Sequence, residues 1–391
     1  MRIFTFAATL LCVSGILFAN ERKPIAPPGS TVVGPYTPAI LTGEYLYVSG
    51  QLGRLPSGAM APTIEEQTRI VLNQIKTLVE AAGLTMDHVV YTHLFLTNIR
   101  NYDAVNKIYA TYFPNAKPAR VTVGVARLPS AGGVEINAVA VRNLAAKLPV
   151  ARSGPNPVSA VPITEALRTT DRLFLSGTLG RDADTGVVPK AVPDQIRMAL
   201  RRAKATLRLA NLTEQSLVSL TVYHTAAVKR DALAKVWAKE FGSRVKAPVS
   251  YIEVNELALG SNIGVTGVAA LNRKQAMFGK GCAGVGETLY CAVEESGLGP
   301  IEQQTRDTIG RLSSNAKRLG FSMDDASTMQ LYLENMDDFD KMNAAYSSAL
   351  HEPRPARATV QPAPSKNRRL IQASAVVSRS SSAPLGRRKS K

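Results

Sequence analysis

The chain has 391 residues, 45% hydrophobic and 20% charged. These proportions exclude wholesale disorder and a collagen-like fibre, and the length suits two or three domains. Lys and Arg outnumber Asp and Glu by 47 to 30, a net charge of +17, which bears on solubility and loose contact with anions rather than on fold. Three Cys exclude a disulfide-scaffold miniprotein and zinc sites built from several Cys pairs.

The first 20 positions carry a positive start (Met1-Arg2-Ile3), an apolar run from Phe4 to Phe18, and Ala19 before the polar break Asn20-Glu21-Arg22-Lys23. The run is short for a membrane span of ~20 residues. It reads as a secretory signal peptide, so a secreted or periplasmic protein with no membrane contact after cleavage is expected, an uncleaved anchor being the alternative. From residue 21 to 147 the pattern predicts a hairpin (37–41 and 45–50) around Thr42-Gly43-Glu44. A helix follows over 65–82, with Ile70, Val71, Ile75, Leu78 and Val79 on one stripe and Gly83 as its stop. Then come a strand over 89–96, a helix over 102–113, and strands over 121–126 and 134–141.

This unit recurs. Ile64-Glu65-Glu66-Gln67-Thr68-Arg69 returns as Ile301-Glu302-Gln303-Gln304-Thr305-Arg306, and Pro118-Ala119-Arg120 as Pro355-Ala356-Arg357. Between them, Tyr47-Val48-Ser49-Gly50 aligns with Phe174-Leu175-Ser176-Gly177, and Gln67 with Gln195. The chain therefore divides into a signal segment (1–20), unit 1 (21–147), unit 2 (148–272), unit 3 (273–378) and a basic tail (379–391) expected to be disordered. Strands mixed with two helices per unit predict an α+β layer, helices on one face of a sheet. The other sheet faces then need covering, and three units in one chain can cover each other about a pseudo-threefold axis.

Cys282 and Cys291 flank a strand–turn–strand segment. A two-residue turn at Gly286-Glu287 pairs Val285 with Thr288 and, counting outward, Cys282 with Cys291 in a non-hydrogen-bonded position, Cα atoms ~4.5 Å apart. That separation permits a disulfide; two buried thiols are the alternative.

Gly34-Pro35-Tyr36, Tyr47-Val48-Ser49-Gly50, Ala104-Val105-Asn106, Pro118-Ala119-Arg120, Val125-Ala126-Arg127-Leu128-Pro129 and Val134-Glu135-Ile136 together resemble the RidA family (YjgF, or L-PSP in older labels), the reactive-imine deaminases. The resemblance covers nearly all of unit 1, less of unit 3 and least of unit 2. It implies a chorismate-mutase-like fold, normally a homotrimer with ligand sites in clefts between subunits. It implies hydrolysis of 2-aminoacrylate- or 2-iminobutanoate-type acids to 2-keto acid and ammonia, without metal or cofactor. On this resemblance Arg120 binds the substrate carboxylate and Glu135 orients and activates water, with Tyr36 as the third catalytic candidate. Ser49, Gly50 and Asn106, and in unit 3 Asn343 and Arg357, are substrate-binding candidates. An Arg fork matches a planar carboxylate, and a carboxylate base suits a hydrolytic water.

Units 2 and 3 depart from the pattern. Unit 2 has Val249, Gly264, Ile163 and Ala234 at the Arg, Glu, Tyr and Asn positions. Unit 3 keeps Arg357 and Asn343 but has Gln372 at the Glu position, Gly279 near the Tyr position, and Ala292-Val293 in place of Ser-Gly. The alternative function is a non-catalytic small-carboxylate binder or scaffold. Which units face each other at each cleft is open from sequence; if one unit's Tyr, Ser-Gly and Asn group completes the Arg of a neighbour, Arg120 faces a degraded partner and Arg357 the intact half of unit 1. His88, His93, His224 and His351 lack metal-ligand spacing, and charge without an RNA-binding aromatic motif implies no specific nucleic-acid partner. The expected assembly is a monomer mimicking a homotrimer.

Overall fold

The computed structural model describes residues 22–30, 32–115, 117–150, 162–293, 297–363 and 369–379. The signal-like segment and the tail beyond residue 379 lie outside these residues. Unit 1 comprises β1 (Lys23–Ile25), β2 (Ala39–Thr42), β3 (Tyr45–Leu52), α1 (Ile64–Ala81), β4 (Val89–Leu96), α2 (Tyr102–Tyr112), β5 (Ala119–Gly124) and β6 (Val134–Val141). Helix α1 opens on a capping box between Thr63 and Glu66, buries Val71, Leu72, Ile75, Leu78 and Val79, and ends before Gly83, whose φ of 77° favours glycine. The strand order is β1-β2-β3-β6-β4-β5. Only β4 and β5 run parallel, and α2 supplies the crossover that parallel neighbours require. Both helices pack on one sheet face, α2 with Tyr109, over Leu46, Leu94, Ile136 and Ala138.

Unit 2 repeats the plan with β7 (Leu148–Val150), β8 (Ala166–Arg168), β9 (Arg172–Leu179), α3 (Val192–Leu209), β10 (Leu217–His224), α4 (Arg230–Glu240), β11 (Val249–Glu253), β12 (Glu256–Leu257) and β13 (Ile263–Ala270). Strand β12 crosses over to pair with β5, giving unit 1 a seventh strand. Unit 3 has β14 (Ala276–Gly279), β15 (Cys282–Val285), β16 (Thr288–Val293), α5 (Ile301–Lys317), β17 (Ala326–Leu333), α6 (Phe339–Ala349), β18 (Ala356–Val360) and β19 (Ile371–Ser378). Its hairpin has the expected register, Val285 opposite Thr288 and Cys282 opposite Cys291, and a disulfide joins the two Cys.

Two boundaries differ from the sequence expectation in ways that matter. Strand β5 starts at Ala119, so Arg120 sits inside the strand, and β3 runs on to Leu52. The short leading strands β1, β7 and β14 have no sequence signal, because three or four residues, two of the three segments with a central Pro, show no alternation.

The sheet faces away from the helices meet at the centre. There β18 lies against β3, β5 against β9, and β11 against β16, so the units contact one another in a closed ring. Phe95, Tyr223 and Tyr332, one from each unit, share an inner cluster. The Tyr223 hydroxyl lies 2.6 Å from that of Tyr332 and 3.1 Å from His93 Nε2. Burial pushes the His93 imidazole down to about 3, so it stays neutral as a packing group. A cavity of about 160 Å³ remains there, lined in part by Asn137, Gln330 and Thr266.

One buried amide recurs three times. Gln67, Gln195 and Gln304 each donate to a carbonyl just before their helix (Ala61, Pro189, Gly299) and accept a backbone N–H just before the last strand (Gly133, Asn262, Leu370). This clip sets where the last strand of each unit, and hence the Glu position on it, begins.

Candidate active site

Arg357 projects from β18 toward α6 and is 2% exposed. Its backbone N–H donates to Ser49 Oγ at 2.9 Å, and the Ser49 hydroxyl donates to the Thr37 carbonyl at 2.6 Å. Ser49 thereby clasps unit 3 to unit 1, and its one proton is already committed. The guanidinium lies over Tyr36 of unit 1 (4.9 Å to the ring centre) and Tyr346 of α6 (4.7 Å). Among the described residues its Nη1 and Nη2 have no hydrogen-bond partner, and neither has Asn343 Oδ1, although all are buried. Unmet buried donors of this kind call for an anion.

Glu135, on β6, comes to the same cleft from unit 1. It is 2% exposed and accepts a hydrogen bond from the Thr359 backbone N–H on β18. Burial pushes its carboxyl up to about 8, against the opposing pull of Arg357. The same burial lowers Arg357 from its ordinary value. The two groups sense each other's charge without forming an ion pair. Gly50 is required here because a Cβ at that position would overlap the Glu135 carboxylate, and a Cβ at Gly34 would crowd Arg357 Nη2 and Asn343. Tyr36, Ser49, Gly50 and Glu135 from unit 1 and Asn343 and Arg357 from unit 3 thus form one site.

The expected partnership of Arg120 with Glu135 does not form. Arg120 pairs in register with Thr92, and Thr92 with Ala138; Thr92 bonds Tyr109 of α2, and Ala138 packs in the helix-side core. Glu135 is level with Phe95 and Val123, which belong to the inner cluster. The two side chains therefore leave opposite faces of one sheet, with β4 between their strands.

Arg120 and Asn106 instead face unit 2. The Arg120 N–H donates to Ser176 Oγ at 2.8 Å, and Ser176 donates on to the Thr164 carbonyl, a copy of the Ser49 clasp. Here the guanidinium is partly occupied, with Nη2 donating to Asn106 Oδ1 at 2.7 Å while Nη1 has no partner among the described residues. No carboxylate faces it: the Glu position is Gly264, with Leu179 and Leu257 beside it. The third cleft, between units 2 and 3, has Val249 for Arg, Ala234 for Asn and Gln372 for Glu. The first cleft alone joins an Arg to a Glu.

Thr359, Gly34 and Tyr346 were not singled out from sequence as site residues. Tyr346 repeats Tyr109 across units, so a signal for it existed; the Thr359 contact is made by backbone and leaves no trace in residue type.

Comparison with known proteins identifies the repeated unit. The Endoribonuclease L-PSP family model matches residues 28–142, 154–271 and 291–376. A RutC family protein of Saccharolobus solfataricus is 42% identical over 110 residues, 28% of this chain and 87% of that protein. A 2-iminobutanoate/2-iminopropanoate deaminase of Capra hircus is 40% identical over 112 residues, 28% of this chain and 82% of that protein. Among solved structures, YyfA of Yersinia pestis, a Rid family protein of unknown function, is 41% identical and covers 31% of this chain and 99% of its own, with a TM-score of 0.30. Matched in three successive blocks that span most of its length, the chain belongs to the L-PSP (RidA) family and carries the family's unit three times over.

Proposed function

We propose that the cleft between units 3 and 1 hydrolyses small 2-imino or 2-enamino acids to the 2-keto acid and ammonia. The observation that carries this is the meeting of a buried Arg357, whose Nη1 and Nη2 have no partner among the described residues, with a buried Glu135 that holds a proton near neutral pH. The goat relative's name supports the reaction class at family level. Arg357 takes the substrate carboxylate through two parallel hydrogen bonds. The Glu135 acid protonates the imine nitrogen, and the resulting carboxylate accepts the proton of a water that attacks the imine carbon. Collapse of that adduct expels ammonia and leaves the carbonyl. A carboxyl poised near 8 suits both directions of proton transfer. The narrower reading, holding a carboxylate without turnover, fits the Arg120 cleft, which has the guanidinium and no base.

The test is imine hydrolysis by the chain from residue 21 onward, the imine of 2-ketobutyrate being generated in situ by a helper enzyme. Arg357→Ala and Glu135→Gln are expected to lose roughly 100-fold or more, while Arg120→Ala keeps most of the activity. No rate above the helper-enzyme blank, or loss with Arg120→Ala alone, sinks the assignment.

A further inference from the structure

The cleft between units 2 and 3 has not simply closed. Where the other two clefts bury a guanidinium, it holds a cavity of about 540 Å³, within the ordinary range for small-molecule sites. Its walls include Leu233 and Trp237 of α4, Tyr251 of β11 and Tyr332 of β17, with Gln372 and Glu334 supplying polar groups. Trp237 and Tyr251 meet edge to face, ring centres 6.2 Å apart, and form an aromatic wall. The replacements Val249 and Ala234 remove both groups that serve an acid in the first cleft.

The unmet polar group is now an acceptor. Glu334 is half-buried, and its Oε2 is shut from solvent with no hydrogen-bond partner among the described residues. Glu253 adds a second carboxylate to the lining. The cations around the cavity do not answer this: Lys229 and Arg230 are exposed at the start of α4, and Arg369 is already partnered. A half-buried carboxylate with one oxygen lacking a donor is satisfied best by an N–H group reaching its open side, above all a charged one. Aromatic faces beside it favour the same charge.

We propose that this third cleft binds a small aromatic amine, its ring against Trp237 and Tyr251 and its ammonium group on Glu334. The site stands apart from imine hydrolysis, since none of its residues belongs to the first cleft. Duplication and loss would then have produced two ligand chemistries in one ring: an acid where the Arg remains, an amine where Val249 replaced it.

Trp237 is the chain's single tryptophan, so its fluorescence reports on this cavity alone. The full chain is titrated with phenethylamine, and with 2-phenylethanol and 3-phenylpropionate as the neutral and acidic comparators. The expected result is a saturable change with the amine, with the alcohol and the acid weaker by about tenfold or more. Glu334→Gln should erase the preference for amine over alcohol. Ala234→Phe, placed at an exposed position of α4 on the cavity wall, should abolish the response by filling the space. The proposal is overturned by the absence of a saturable change with phenethylamine, by an acid that binds as tightly, by a preference that survives Glu334→Gln, or by an unaltered response in Ala234→Phe. Imine hydrolysis measured alongside distinguishes the two clefts, because its loss would leave the fluorescence result standing.

Discussion

Arg120 and Arg357 occupy the same place in their repeats and follow the same Pro-Ala pair, yet their surroundings separate their chemistry. Asn106 holds one terminal nitrogen of Arg120, whereas Asn343 leaves Arg357 alone. Glu135 is a costly group in the first cleft. Its carboxyl titrates near 4.5 in the unfolded chain and is pushed up to about 8 when folded. Below pH 4.5 both states hold the proton and there is no penalty. Between 4.5 and 8 the unfolded chain ionises while the folded one keeps its proton, so stability falls as pH rises; above 8 the penalty is constant. Glu135→Gln removes it. The variant should exceed the native protein in stability above pH 8, by an amount on the order of a few kcal/mol, and the advantage should shrink to nothing below pH 4.5. Urea unfolding of both proteins at pH 4, 6 and 8.5 measures this, and a difference that stays flat with pH would show that Glu135 titrates normally. Perturbed carboxyls that cost stability concentrate where chemistry needs them.

At the scale of elements, the two serine clasps make a matched experiment. Ser49 ties β18 to β3, and Ser176 ties β5 to β9, through the same pair of hydrogen bonds. Removing either hydroxyl strands a buried backbone N–H at a cost of about 1–3 kcal/mol. Ser49→Ala and Ser176→Ala should therefore destabilise alike in thermal unfolding, but Ser49→Ala alone should slow imine hydrolysis, because only its clasp sets the height of Arg357 in the working cleft. Equal losses of activity would mean that the clasps act through global stability. Much at this scale was legible. The hairpin register at Cys282 and Cys291 followed from counting outward from a two-residue turn, and the helices from apolar stripes with Gly83 as a stop. Gln67, Gln195 and Gln304 recur in all three units, including unit 2, which lost the Arg, Glu, Tyr and Asn of the site, and that recurrence matches the clip they form. The leading edge strands were not legible, since pairing with a neighbour rather than local pattern makes them strands.

The whole molecule explains why the site itself was only half legible. The residue types are legible, and pairing Arg120 with Glu135 is one option the sequence leaves open, but across the three strands β5, β4 and β6 those two side chains leave opposite faces of the sheet. Each cleft takes its Arg from one unit and its Glu position from the next, so the complete site joins the first and last units of the chain, Glu135 and Arg357. No spacing within a unit encodes that. The same closure predicts the assembly. In a trimer of separate units, dilution uncovers the inner sheet faces and splits every cleft. Here one covalent chain covers Phe95, Tyr223 and Tyr332 with each other, so association carries no concentration term. The protein should sediment with the mass of one chain, and its imine hydrolysis per chain should stay constant on dilution from micromolar to nanomolar. A mass of three chains, or specific activity that falls on dilution and returns on reconcentration, would show that the working cleft is built between molecules, with unit 3 of one chain facing unit 1 of another.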